Sequence, residues 1–327
     1  MGGLSVRQLV DRLRHSVIPA VPVPFDREER IDTQALEIYS GWMARQAIGG
    51  VAVWAHTGRG LLLNDVQRSR VLEVWRGQLG DVPVICGVGV PNAEALPSDA
   101  VHRTARVIAL SVTMAEQARH GGAKAVLVYP PATLRDLTDR DQRVVDLHRA
   151  VCDVGLPVIA FYLYGAAGGI DYSRGCIEEV LDLPGVIGIK VATLDSVITF
   201  QDIASVVSEH RDSLLITGED RFLGYSLTLG AQAALIGMAA SCTDRTVALL
   251  NAWNVGDLGA FISQTAALDE FARATFTAPM DGYVQRMLWA LEADGVIGGE
   301  ALDPFGPGLP RADRERVAAA VRTLRSK

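Results

Sequence analysis

Eight short apolar runs recur along the chain at intervals of roughly 25 to 40 residues, the spacing expected of strand–helix units. They are "VIPAVPVPF" (17–25), "GVAVWAHTG" (50–58), "VPVICGVGV" (82–90), "AKAVLVYP" (123–130), "LPVIAFYLY" (156–164), "VIGIKVAT" (186–193), "SLLITGED" (213–220) and "AQAALIGMAAS" (231–241). Several are launched by "GG", "GGA" or "GLP", the turn chemistry of a helix end that feeds a strand. Between them lie helical patterns. "TQALEIYSGWMARQA" (33–47) repeats Leu36, Tyr39 and Met43 behind an Asp32 or Thr33 cap, and "DRDQRVVDLHRAVCDVG" (139–155) aligns Val144, Leu147 and Val151 before Gly155. Strands alternating with helices make a parallel sheet, and eight of them close naturally into a (β/α)8 barrel. A doubly wound sheet is the rival architecture; the strand count favours the barrel. Past residue 242 the strand signal stops, and "TDRTVALLNAWNVGDLGAFISQTAALDEFARATF" and "YVQRMLWALEADGVI" are helical. The expected organisation is a barrel over 13–255 and a C-terminal helical region over 256–327, with boundary signals only near Gly256 and in "DPFGPGLP" (303–310).

Composition narrows the class. With 327 residues, 49% hydrophobic and 21% charged, the chain can bury a large core. A net charge of −7 argues against nucleic acid and against an anionic membrane surface as partners. Cys86, Cys152, Cys176 and Cys242 stand singly and read as small core hydrophobes in a reducing compartment. Charges interrupt every apolar run of the first twenty residues, and no run reaches the length of a membrane span. A cytoplasmic protein is expected.

One residue in the sixth run does not fit a purely structural strand. Val186, Ile187, Ile189 and Val191 leave almost no polar face, yet Lys190 lies among them. A buried ammonium is costly unless paired. Either Lys190 reaches solvent at the strand end, or its chemistry is the reason for its place. An ordinary lysine is only about 0.04% neutral at pH 7. Burial lowers the pKa and raises the nucleophilic fraction, which is what a Schiff-base lysine needs.

Barrel chemistry sits at the C-terminal strand ends. That selects His56, Thr57, Gly58 and Arg59 after the second strand, Tyr129 after the fourth, Tyr162 and Tyr164 on the fifth, and Glu219 and Asp220 after the seventh. Tyr162 and Lys190, on neighbouring strands, are expected to face each other in the lumen, where a phenol beside an imine lysine would move protons. "AHTGRG" is either an ordinary glycine turn or a cradle gripping a carboxylate with amides and the Thr57 hydroxyl. "CGVGV" runs into Pro91-Asn92 instead of a helix, so a dinucleotide turn is not supported. The six histidines show no metal spacing, and neither a metal nor an organic cofactor is expected.

Together these residues resemble the dihydrodipicolinate synthase/N-acetylneuraminate lyase family of class I aldolases. The likeness runs from "VPVPFD" to the C-terminal helices and rests on "GIK" in the sixth strand, the aromatic–Tyr pair of the fifth, and the x-T-G turn after the second. It implies a Schiff base between Lys190 and pyruvate or another 2-oxo acid, with Tyr162 as proton carrier. It further implies a carboxylate held by Thr57 and its neighbouring amides, an imine site lined by the backbone around Leu235, and a homotetramer or homodimer.

The departures are as informative. The family's G-[TS]-T-G-E turn is Ala55-His56-Thr57-Gly58-Arg59 here, so His56 replaces the relay hydroxyl and Arg59 a glutamate. The synthases' tyrosine pair, which completes a proton relay across the dimer, is matched by Pro131-Ala132, and their substrate-binding arginine by Ala167. The expected function is therefore a Schiff-base lyase, an aldolase or dehydratase on a 2-oxo acid such as a 2-oxo-3-deoxy sugar acid. Its residues would be Lys190, Tyr162 and His56 for catalysis and Thr57, Gly58, Arg59, Tyr164 and Leu235 for binding. His56, with an ordinary pKa near 6.5, would serve as a replacement relay at neutral pH. The alternatives are a condensing synthase with a remodelled site and a barrel that binds 2-oxo acids without turnover.

Overall fold

The computed structural model describes residues 4–92 and 94–326. Its eight strands are β1 (Val17–Pro19), β2 (Val51–Val53), β3 (Val84–Val88), β4 (Ala125–Val128), β5 (Val158–Leu163), β6 (Val186–Ala192), β7 (Leu214–Thr217) and β8 (Ala233–Ile236). Every neighbouring pair is parallel, in the order β1-β8-β7-β6-β5-β4-β3-β2. A single parallel bridge, Ala20 to Ala52, joins the two ends of that order and makes the sheet a nearly closed barrel. β1 is shorter than its apolar run. Pro19, Pro22 and Pro24 cannot donate to a ladder, so pairing stops after three residues.

The described residues form twelve α-helices: α1 (Val6–Leu13), α2 (Thr33–Met43), α3 (Asp65–Leu79), α4 (Ala100–His120), α5 (Arg140–Cys152), α6 (Arg174–Leu181), α7 (Val197–Glu209), α8 (Leu223–Thr228), α9 (Thr243–Val255), α10 (Leu258–Thr275), α11 (Tyr283–Ala293) and α12 (Arg311–Ser326). Their starts follow the expected chemistry: Asp32 caps α2 by accepting from the Ala35 amide, and Asn64 opens α3 with a capping box. None of the described helices is long and apolar enough to cross a membrane. The buried apolar residues form two clusters. One lies between sheet and helices; the other fills the lumen with Ile85, Leu127, Ile159, Phe161, Ile216 and Leu235.

The lumen assignment depends on one irregularity. Along β5 the faces alternate as a strand must: Ile159, Phe161 and Leu163 point inward, while Val158, Ala160 and Tyr162 point outward. On β6, Ile187 points inward but Ile189 and Val191 point outward. The parity changes at Gly188. Val186 stands opposite Val158, and Gly188, not Ile187, stands opposite Ile159, so β6 carries one extra residue, a β-bulge. Unbroken alternation from Ile187 would aim Lys190 at the helices; the bulge turns it into the lumen.

Candidate active site

Lys190 is only 6% exposed and projects into a narrow recess at the C-terminal end of the barrel. Its Nζ lies 4.0 Å from the centroid of the Phe161 ring, its partner across the β5–β6 pairing. Room for the lysine stem comes from Gly218, where a Cβ would lie 2.6 Å from the Lys190 Cε. Burial lowers the ammonium's pKa to about 8, against the opposing pull of the Asp220 and Glu219 carboxylates. At pH 7 that makes about a tenth of the lysine a neutral amine, a gain of more than a hundredfold over an exposed one.

The two acidic residues differ in what they can do. Glu219 is consumed by the turn that follows β6: it accepts from the Thr193 amide (2.5 Å) and hydroxyl (3.0 Å) and from the Leu194 amide (2.9 Å). Asp220 accepts from the Met238 amide at 2.6 Å and still lines the recess. Burial raises its pKa, so it holds its proton more firmly than an exposed carboxyl.

His56 and Thr57 enter from the turn after β2 and meet a residue that sequence reasoning missed. Tyr283, the first residue of α11, places its Oη 3.0 Å from His56 Nδ1 and 3.0 Å from Thr57 Oγ1. Its ring stacks on Phe276 (4.8 Å) and lies parallel to the His56 ring (5.9 Å). The only sequence sign was a tyrosine opening an apolar helix, which carries no mark of chemistry. Burial, with the Arg59 charge second, pushes the His56 pKa down to about 4. A His56 titration near neutrality is thus corrected: the imidazole is neutral there.

Tyr162 also needs correction. It does not face Lys190. Val191 is its partner across the pairing, and its phenol donates to Asp171 Oδ1 at 2.9 Å behind the sheet, beside Tyr172. The lumen position it was expected to fill belongs to Phe161. Tyr164, one residue past β5, does line the recess, and burial raises its pKa to about 12.

Arg59, though it borders the site, is occupied. Its guanidinium donates to Asp303 (Nη2–Oδ2 2.6 Å) and Asp281 (Nη1–Oδ1 2.7 Å), and the two carboxylates outweigh burial to hold its pKa above the usual value. It ties the β2 turn to the C-terminal segment. Gly58 serves that turn sterically: a Cβ would come within 3.0 Å of the Trp54 nitrogen and the Val21 carbonyl. Leu235 is wholly buried among lumen side chains, and Gly237, two residues on, lines the recess in its place.

Outside the recess, and sharing His56 and Tyr164 with it, is a cleft of about 450 Å³. Leu61, Ala167, Met280 and Phe305 supply its apolar wall; Asn92, Tyr129 and Asp281 are among its polar groups. Geometrically this is a buried amine in a narrow recess beneath a larger chamber, an arrangement that can engage one end of a small molecule and accommodate the other.

Residues 14–324 match the model of the dihydrodipicolinate synthetase family. A probable mitochondrial 4-hydroxy-2-oxoglutarate aldolase of Emericella nidulans is 24% identical over 279 residues, covering 82% of this chain and 83% of that protein. A 4-hydroxy-tetrahydrodipicolinate synthase of Methanosphaerula palustris is 24% identical over 314 residues, covering 94% and 97%. A solved structure of a Ruminococcus gnavus sialic acid aldolase, a catalytic lysine mutant, superposes with a TM-score of 0.81 at 18% identity over 97% of each chain.

Proposed function

The chain belongs to the dihydrodipicolinate synthetase family, and from that premise we propose that it is a lyase whose Lys190 forms a Schiff base with a 2-oxo acid. The observation that supports this most is the amine itself. It is buried over an aromatic face with a lowered pKa, and among the described residues it forms no ion pair. A structural role would call for a partner. The neutral amine attacks the ketone carbon, the carbinolamine loses water, and the iminium draws electrons from a neighbouring bond. In a 4-hydroxy substrate the C3–C4 bond breaks and an aldehyde leaves; in a 3-deoxy sugar acid the same sink supports loss of a hydroxyl as water. Thr57 holds the carboxylate, and Tyr164, bordering both recess and cleft, reaches the substrate beyond C3.

Reductive trapping tests the reading. Pyruvate and borohydride should add one reduced pyruvyl group, mapped to Lys190. The trapping rate should climb as pH rises, reach half its maximum near pH 8 and level above about pH 9, where the buried amine has lost its proton. A label on Lys124, no label, or a rate still climbing at pH 10 would overturn it. Phe161, opposite the lysine, has no ionisable proton to transfer, and this favours one second reading, a barrel that binds 2-oxo acids without turnover. Trapping without exchange of the pyruvate methyl protons in D2O would select that reading.

The cleft also bears on the substrate's tail. Ala167 stands where the resemblance places the synthases' arginine, and Arg59 is neutralised by two aspartates. Asp281, half exposed, adds negative charge. An uncharged tail is expected. 2-Oxoadipate and its C6 monoamide differ in little but charge; the monoamide should bind at least about tenfold tighter by calorimetry, a margin that one unfavourable charge contact supplies. Aspartate semialdehyde should give no useful condensation rate. Equal binding of the two acids would mean that another group receives the carboxylate.

A further inference from the structure

The proton carrier expected on β5 points away from the lysine, and the end of β4 offers Pro131-Ala132 where the resemblance places a relay tyrosine pair. A site that makes an imine still has to deliver a proton to the departing hydroxyl. Tyr283 is the deeper of the two phenols that border the recess, and it joins hydroxyl, imidazole and recess in one chain of contacts. Oη lies 3.0 Å from Thr57 Oγ1 on one side and 3.0 Å from His56 Nδ1 on the other. His56 in turn borders the outer cleft, where it can exchange protons with solvent.

The protein fixes this phenol firmly. Phe276 stacks on its ring at 4.8 Å, and the near-parallel His56 ring meets its hydroxyl. Arg286, fully buried, binds the Thr277 and Pro279 carbonyls at 2.7 and 3.1 Å and Asp313 of α12 at 2.8 Å, so the loop leading into Tyr283 is held from behind. Arg221 clamps the Phe276 carbonyl at 2.6 Å. At Gly237 a Cβ would stand 3.1 Å from Thr57 Oγ1 and 3.2 Å from the Tyr283 ring, so the missing side chain leaves the phenol its place. Burial also keeps the phenol protonated.

Building on the Schiff-base reading, we propose that Tyr283 is the proton-carrying residue of the imine site, supplied by α11 of the same chain, so that the relay is complete within one protomer. Tyr283 Oη gives its proton to the carbinolamine hydroxyl. The C–O bond breaks, water leaves, and the nitrogen lone pair forms the C=N bond. The protonated Schiff base and the phenolate are then left as an ion pair until a proton returns from solvent through His56. Thr57, which hydrogen-bonds to the same oxygen, orients it.

The test uses a reaction that needs no identified second substrate: exchange of the pyruvate methyl protons in D2O, which requires both the imine and a proton carrier. Tyr283→Phe keeps the ring and its stacking and removes only the hydroxyl. Its exchange rate at saturating pyruvate should fall about 10²–10⁴-fold, while half-saturation changes less than about threefold. Small buffer acids such as imidazolium should restore part of the rate in proportion to their concentration, and should leave the parent protein unaffected. A merely structural role would not produce that rescue. Mixing Tyr283→Phe with Lys190→Ala protein should restore nothing, since each site needs both groups from one chain; recovery on mixing would show a phenol shared between subunits and overturn the in-chain relay. A Tyr283→Phe rate within threefold of the parent, with Lys190 still trapped by pyruvate, would overturn this proposal alone. Failure of the parent protein to be trapped would remove the Schiff base and the relay with it.

Discussion

Replacing Lys190 by methionine should abolish borohydride-dependent labelling by 2-oxo acids and at the same time make the protein harder to unfold. The first effect is chemical. Among the described residues no other lysine lines the recess, and methionine has no nucleophilic nitrogen, so proton exchange on pyruvate should drop to the buffer background. The second follows from the pKa. An amine that titrates near 10.4 in the unfolded chain and near 8 in the fold resists folding whenever it is protonated. The penalty is fully present below pH 8, shrinks as pH rises from 8 towards 10.4, and is gone above that. Methionine has similar length, packs well against the Phe161 face, and carries no charge. At pH 7 a gain on the order of 1–3 kcal/mol is expected, the lower end allowing for the loss of a positive charge that Asp220 feels. Denaturant unfolding at pH 7 and again near pH 10 measures both value and sign: the advantage of the variant should be large at the first and small at the second. A variant that is less stable at pH 7 would show that the ammonium is a structural ion, and the case for a reactive amine would fail. Loss of activity with gain of stability is what a residue kept for chemistry leaves behind.

The barrel was legible because its signal is repeated. Eight apolar runs and the helices between them point to one architecture, and no single ambiguous run could alter it. Lys190 was legible for a related reason: a charge inside a buried strand contradicts its surroundings and calls for explanation. Tyr162 misled because counting along the chain cannot see a bulge. Residue spacing between two strands says which residues are neighbours, but the face each presents depends on whether alternation is unbroken, and Gly188 breaks it. Tyr283 was invisible for a different reason. Its chemistry arises from meeting Thr57 and His56 across the fold, and a tyrosine at a helix start looks like any other. Arg59 illustrates the converse: a cation near a site suggests an anion-binding group until Asp281 and Asp303, both distant in sequence, are seen to neutralise it. His56 stood out as an unusual residue in the turn after β2, yet its protonation is set by burial, which composition does not report.

Gly188→Ala tests the device that aims the lysine, and it should be among the most damaging single-methyl additions in the molecule. The new Cβ would stand 2.3 Å from the Leu214 carbonyl oxygen and 2.7 Å from the Leu214 nitrogen, backbone atoms of β7 that cannot swing aside. The backbone there has φ of +154°, which a side chain also disfavours. Two responses are open to the strand. It can keep the bulge and push β6 away from β7, losing ladder contacts, or it can lose the bulge and restore plain alternation, which turns Lys190 from the lumen towards the helices and buries it in an apolar layer. Overpacking and backbone strain together should cost about 2–5 kcal/mol. Either response displaces the amine from the recess, and a 1 Å misplacement alone is worth about 10²-fold in rate, so pyruvate trapping should slow by at least that factor in whatever fraction remains folded. Gly230→Ala separates the causes. Gly230 also has a positive φ, +96°, but nothing lies within 4 Å of its Cβ position. It should therefore show a backbone penalty of about 1 kcal/mol and unchanged trapping. If Gly188→Ala behaved like Gly230→Ala in both unfolding and trapping, the bulge would not be what turns Lys190 inward, and the lysine's orientation would have to come from its packing against Phe161 and Gly218.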